Sequence, residues 1–189
     1  YHKGQVLVYK IEADGRLSFV NEDTHQGSGP HANQASPHAH YADLTPDQYL
    51  ITCDLGTDSL HVYDVSEEGK LTLINQYQTA PGAGPRHLVF HPHYKTAYLI
   101  NELNATIDVL FYEFEHFQTV STLPSDYDGQ KWASAIKLSA DGKFLYASNR
   151  AHNSIAVFKV VADGSLELIE IVPSQGLNPR DFTISPDQN

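Results

Sequence analysis

The sequence predicts an all-β chain built from consecutive four-stranded β-propeller blades. Three observations carry this. A turn motif recurs at Thr45-Pro46-Asp47, His91-Pro92-His93, Ser139-Ala140-Asp141 and Ser185-Pro186-Asp187, with successive third residues 46, 48 and 46 apart. That period suits one four-stranded blade and is long for helical repeats of the tetratricopeptide or ankyrin type. Apolar and aromatic residues alternate with polar ones at the two-residue period of half-buried strands. Glycine-bearing hairpin turns fall at matching places in the units.

Each element can be justified in chain order. After the turn comes an apolar strand: Tyr49 to Cys53, Ala97 to Ile100, Phe144 to Ser148. A polar turn leads to an alternating strand at residues 60–65, 107–110 and 155–160, and the chain opens on the same kind of strand at residues 5–11. β-branched and aromatic residues favour such strands. The hairpins Ala13-Asp14-Gly15-Arg16, Glu67-Glu68-Gly69-Lys70 and Ala162-Asp163-Gly164-Ser165 supply the positive φ that tight turns need. A fourth, outer strand closes the unit, as at residues 166–169. Segments 36–84, 85–131 and 132–178 form near-complete units, and 1–35 and 179–189 partial ones. Propellers close with four to eight blades. The ragged ends, and the absence of any methionine, point to part of a larger ring.

One unit breaks the pattern. Between Val109 and Phe117 the sequence matches Val62 through Ile74 only if Glu113 alone stands opposite residues 66–70. One residue cannot join two antiparallel strands. The spacing therefore predicts a hairpin tip missing from the sequence, with a break near residues 112–114.

Composition narrows the function classes. The 189 residues carry a net charge of −11, which argues against broad nucleic-acid binding, a task for a basic face. A small anionic ligand is compatible, because a few arginines can make a locally positive cleft. No run of 18 apolar residues suggests a membrane span, and no signal segment is evident, so a cytoplasmic address is the default. The single cysteine, Cys53, lies in a strand-like run and reads as core rather than nucleophile.

The polar residues that could do chemistry gather at turns of one kind. In a blade, the link into the innermost strand and the link between the second and third strands lie on the same rim. Arg86, in Gly82-Ala83-Gly84-Pro85-Arg86-His87, starts an inner strand, and Glu102, in Asn101-Glu102-Leu103-Asn104, comes directly after the next strand. Arg150 stands where Glu102 stands one unit earlier. Arg180 corresponds to Arg86 two units on, and His40 to Arg86 or His87 one unit before. The six residues His40, Arg86, His87, Glu102, Arg150 and Arg180 are expected to converge on one opening. Guanidinium groups bind carboxylate or phosphate bidentately, and a neighbouring carboxylate or imidazole can take a proton from water. Trp132 opens an inner strand in the slot of Arg86 and is expected in the channel wall. The same residue types also tie strands together at turns, the plainer role for any one of them. His38 with His40, or His87, His91 and His93, have a spacing open to metal ligation. His91-Pro92-His93, however, occupies the repeat's turn, and no metal or other cofactor is expected. Gly27-Ser28-Gly29-Pro30 is followed by no lysine and is not a phosphate loop.

The residues 82–92, the Asn101-Glu102-Leu103-Asn104 run, Trp132, residues 140–147, Asn149-Arg150 and Pro179-Arg180 together resemble the bacterial 6-phosphogluconolactonase family of seven-bladed propellers, to which fungal carboxy-cis,cis-muconate cyclases are similar. The resemblance runs along essentially the whole chain and implies that about four of seven blades are present. It implies catalytic roles for His40, Arg86, Glu102 and Arg150, with His87, Arg180 and Trp132 at the substrate. The stretch Pro37-His38-Ala39-His40-Tyr41 is longer and richer in histidine than simple family versions, so His38 stands beside His40. Lactone hydrolysis of 6-phosphoglucono-δ-lactone, in the pentose phosphate route, is the leading expectation. A muconate-type cycloisomerase, another sugar lactonase, or a non-enzymatic propeller holding an anion or peptide are the alternatives.

Overall fold

A computed structural model describes residues 2–111 and 113–185. Fourteen β-strands and no α-helix occur among the described residues, and no helix there is long and apolar enough to cross a membrane. The chain divides into two compact units, residues 1–84 and 85–189.

In the first unit, β1 (Gln5–Ile11) and β2 (Leu17–Thr24) form an antiparallel hairpin. A four-stranded antiparallel meander comes next: β3 (Ala39–Leu44), β4 (Leu50–Asp54), β5 (Ser59–Val65) and β6 (Leu71–Gln78), neighbours in sequence and in the sheet. Asn21 of β2 joins the two by accepting the Leu71 backbone N–H at 3.0 Å. Strands β4 and β5 are almost wholly buried, and Cys53 lies in that core, where burial pushes its thiol pKa well up.

The second unit holds two such meanders. The first comprises β7 (Pro85–Phe90), β8 (Thr96–Asn101), β9 (Thr106–Phe111) and β10 (His116–Ser121). The second comprises β11 (Ala133–Leu138), β12 (Phe144–Asn149), β13 (Ser154–Val160) and β14 (Leu166–Pro173). They enclose a core that includes Tyr98, Ile100, Ile107, Val109, Ile136, Leu145 and Phe158. Gln118 on β10 acts as a strand residue for the next sheet, accepting from Leu166 N–H at 2.9 Å and donating to its carbonyl at 3.1 Å. His91 ties the turns together. Its Nε2 lies 3.0 Å from the Gly142 carbonyl, and its Nδ1 accepts the backbone N–H groups of His93 and Tyr94. The imidazole is thus consumed by the turn, as the repeat implies.

The expected gap near Glu113 is not needed. Four hairpins share one hydrogen-bond pattern. In three, glycine occupies the left-handed position: Gly15, Gly69 and Gly164, at φ 83, 81 and 87°. In the fourth, Phe111 N–H donates to Glu115 O at 3.0 Å and Phe114 N–H to Phe111 O at 2.7 Å, as Ser66, Lys70 and Gly69 do. Phe114 takes the glycine's place at φ 61°. Residues 111–115 therefore align with 66–70 one for one. Tyr112 itself lies outside the described residues.

Candidate active site

Each inner strand enters its sheet through a register shift. Ala39 pairs with Asp54 and Tyr41 with Cys53, leaving His40 as the extra residue. Pro85 pairs with Asn101 and His87 with Ile100, leaving Arg86. Such a bulge frees one residue from the ladder and re-aims its side chain. His40 thus occupies in β3 the place of Arg86 in β7, while His38 stands one residue before the strand. In β11 the shift falls between Ala133 and Ile136, and Ala133 pairs with Asn149 as Pro85 pairs with Asn101. Trp132 consequently aligns with Gly84, and Ser134 takes the place of Arg86. The assignment of Trp132 to the Arg86 slot is corrected by two residues, because corresponding positions of β7 and β11 lie 48 residues apart and Trp132 lies only 46 beyond Arg86.

The second-to-third-strand turns supply the other groups. Asn101 ends β8, its amide donating to Asp108 at 3.1 Å and to Thr106 at 3.0 Å, and Glu102 comes next. Asn149 ends β12 in the same way, held by Thr122 at 2.6 and 2.7 Å, and Arg150 comes next. Arg150 N–H donates to the Trp132 carbonyl at 2.7 Å, and Ala133 N–H to the Glu102 carbonyl at 3.0 Å.

These anchors bring four side chains together. Arg86 Nη1 donates to Glu102 Oε2 at 2.7 Å. Arg150 Nη2 lies 2.8 Å from Glu102 Oε1 as an ion pair. Trp132 Nε1–H donates to Glu102 Oε1 at 2.7 Å, and the Arg150 guanidinium carbon sits 3.9 Å from the Trp132 ring centroid. Arg86 and Arg150 are each 4% exposed and Glu102 7%. Burial alone would raise the Glu102 carboxyl. The Trp132 hydrogen bond, Arg150 and Arg86 outweigh it and hold the pKa below the usual carboxylate range. Burial lowers the Arg150 pKa, Glu102 opposes this, and the positive charges of Arg86 and Arg180 add to the lowering. Two guanidinium groups share one carboxylate, so the cluster carries a net +1 within a chain of −11. Among the described residues, the buried Nε of Arg150 has no hydrogen-bond partner. A donor of that kind, desolvated and positively charged, suits an anion.

Of the expected site residues, Arg86, Glu102, Trp132 and Arg150 meet. Arg180 lies beyond β14 with an exposed side chain, its carbonyl accepting Ser134 Oγ–H at 2.6 Å. His87 is half-buried in β7 beside Arg86. His40 belongs to the first unit.

That unit holds a polar network that the spacing of the sequence does not reveal. His25 Nδ1 lies 2.7 Å from Asp54 Oδ2 and its Nε2 3.0 Å from the Tyr63 hydroxyl, which donates to Asp23 at 2.7 Å. The His61 ring stacks on His25 with centroids 3.9 Å apart, and burial together with His25 pushes the His61 pKa down to about 4. Asp54 Oδ1 accepts N–H groups from His38, Gly56 and Thr57. The one signal in the sequence is Asp54 itself, an acid in the slot that Asn101 and Asn149 fill.

The family described as Lactonase, 7-bladed beta-propeller, matches residues 1–189. The chain belongs to this family, and its meanders are blades of that propeller. A curated Bacillus subtilis relative named 6-phosphogluconolactonase is 43% identical over 196 residues, covering 100% of this chain and 56% of the relative. The crystal structure of a Lactobacillus plantarum protein superposes with a TM-score of 0.95 at 44% identity, covering 100% of this chain and 57% of that one. A Pseudomonas aeruginosa periplasmic gluconolactonase gives 0.89 at 35% identity, over 97% of this chain and 54% of that one. The chain therefore spans little more than half the length of these relatives.

Proposed function

We propose that the protein to which this chain belongs hydrolyses a sugar lactone carrying an anionic group, with 6-phosphoglucono-δ-lactone as the substrate to test first. The observation that carries this is the buried pair Arg86 and Arg150, tied to one carboxylate and with an Arg150 N–H donor left over. The names of the Bacillus and Pseudomonas relatives support a lactone substrate.

In this proposal the two guanidinium groups hold the anionic group and the oxygen that gains charge when the lactone carbonyl is attacked. Water adds its oxygen to the carbonyl carbon, the ring C–O bond breaks, and the ring oxygen takes up a proton to give the hydroxy acid. Glu102 is a poor base for the water, since both its oxygens are engaged and its proton affinity is lowered. Its role is to fix both arginines. His40, at the β3 bulge, is the group assigned to water activation, with His87, Arg180 and Trp132 completing the substrate contacts.

Full-length protein is incubated with 6-phosphoglucono-δ-lactone and with unphosphorylated glucono-δ-lactone, and acid release is followed. Turnover of the phosphorylated lactone well above its spontaneous hydrolysis, falling at least about a hundredfold in Arg150→Ala, is the expected result. Turnover of the unphosphorylated lactone alone moves the substrate assignment to a neutral sugar lactone. No acceleration of either, with folded protein, overturns the proposal.

A further inference from the structure

The turn before each third strand ends on a residue in the left-handed region: Asp58, Ala105 and Asn153, at φ 55, 55 and 56°. All three carbonyls do the same work. They accept the N–H of the residue that begins the link to the next inner strand: Thr79 at 2.8 Å, Thr122 at 3.0 Å and Ser174 at 2.9 Å. The side chains differ. Asp58, 3% exposed, collects the backbone of the glycine-rich link. Its Oδ2 accepts Gly82 N–H at 2.7 Å, and its Oδ1 accepts Gly84 N–H at 2.8 Å and Gln34 Nε2 at 2.6 Å. Asn153 Oδ1 accepts Asn178 N–H at 2.7 Å. Ala105 has no group to offer.

The residues beyond each link differ in parallel. The link held by Asp58 runs into Pro85-Arg86, and the link held by Asn153 into Pro179-Arg180. The link after Ala105 runs into Trp132-Ala133-Ser134, without an arginine. Gly82 and Gly84 sit at φ 80 and 67°, so the Asp58 link carries two glycines whose backbone freedom is lost when it is fixed. A carboxylate with both oxygens committed to that backbone holds the link as far as Gly84, two residues before Arg86 in the chain.

We infer that Asp58 and Asn153 are positioning residues, each orienting the arginine carried two residues beyond the link it clamps. This rests on the proposed lactonase function, in which Arg86 and Arg180 serve the anionic substrate. Neither residue is assigned a contact with substrate.

The test uses Asp58→Ala, Asp58→Asn and Asn153→Ala in full-length protein, with crystal structures and lactone kinetics for each. In Asp58→Ala the Arg86 guanidinium is expected to leave its 2.7 Å contact with Glu102, and kcat/KM to fall about tenfold, since Arg86 serves both the bound anionic group and the developing oxyanion. Asp58→Asn keeps one oxygen acceptor and is expected to recover most of that loss. It also serves as the readable variant if the alanine form does not fold. Asn153→Ala is expected to displace residues 178–180 and lower kcat/KM less, because only one N–H is released. An Arg86 that keeps its place in both Asp58 variants, with kcat/KM unchanged, overturns the inference. If wild-type protein turns over no lactone, the function proposal fails, and the position of Arg86 in the variant structures still decides this one.

Discussion

Trp132 holds both partners of an ion pair at once: its indole N–H donates to Glu102 Oε1 at 2.7 Å while its ring lies 3.9 Å beneath the Arg150 guanidinium. The ring face attracts the cation and the ring edge donates to the anion, so one rigid side chain fixes the geometry of the Arg150–Glu102 contact.

Trp132→Phe separates these two actions. Phenylalanine keeps a ring under Arg150 but has no N–H for Glu102. Losing a hydrogen bond to a charged acceptor is worth about 1.5–3 kcal/mol, and chemical unfolding of the full-length variant is expected to show a loss of that size. Trp132→Leu, which also removes the stacking, is expected to cost about 0.5–2 kcal/mol more.

Glu102→Gln leaves two buried guanidinium groups facing a neutral amide. Breaking a buried ion pair in this way costs about 3–5 kcal/mol. The pH dependence carries a further signature. The folded pKa of Glu102 is below its ordinary 4.5, so its stabilisation is present above that value and is lost as pH falls through the lowered folded pKa. The variant is expected to lack this acid-side slope, which unfolding titrations between about pH 2 and 6 would reveal.

His61 gives a separate acid sensitivity. Its pKa falls from 6.5 to about 4 in the folded chain, with burial first and the neighbouring His25 second, opposed by Asp54 and Asp23. A depressed histidine favours the folded state above 6.5, and that stability drains away as pH falls from 6.5 toward 4. The change is up to about 3 kcal/mol at about 1.36 kcal/mol per pH unit. His61→Phe keeps a ring against His25 and is expected to flatten the stability profile across this window. A profile as steep as wild type would show that His61 does not titrate there.

Gly142→Ala probes the turn that His91 holds. Gly142 sits at φ 72°, and an added Cβ would lie 2.6 Å from His91 Nε2. Backbone strain of about 1–2 kcal/mol and crowding of about 1–3 kcal/mol both act against the folded state. A substantial fall in melting temperature with unchanged far-ultraviolet dichroism below the transition is expected.

The fold is legible in the sequence wherever one residue type serves one structural need. The Asp-Gly hairpins mark their turns because glycine is the ordinary answer to positive φ. The hairpin at Phe114 is hidden because a buried aromatic takes the same backbone conformation, so counting by glycine inserts a gap where none is needed. The meeting of Arg86, Glu102 and Arg150 is legible because rim turns recur once per repeat, and sequence distance then maps onto neighbouring turns. The place of Trp132 is shifted because β7 and β11 are offset by 48 residues, two more than the interval from Arg86 to Trp132, and spacing alone does not report which residue leaves the ladder. The His25–Asp54–Tyr63 network stays hidden because its members come from separate strands with no common spacing, and only the acid in an asparagine slot hints at it.

The bulge that opens each inner strand has a consequence for how such a site can change. The residue it frees pairs with nothing across the sheet, so the ladder is indifferent to its identity. Position 40 carries His, position 86 carries Arg and position 134 carries Ser in strands that otherwise pair alike. Chemistry at the rim and cohesion of the blade are thereby assigned to different residues, and one can be exchanged while the other stays intact.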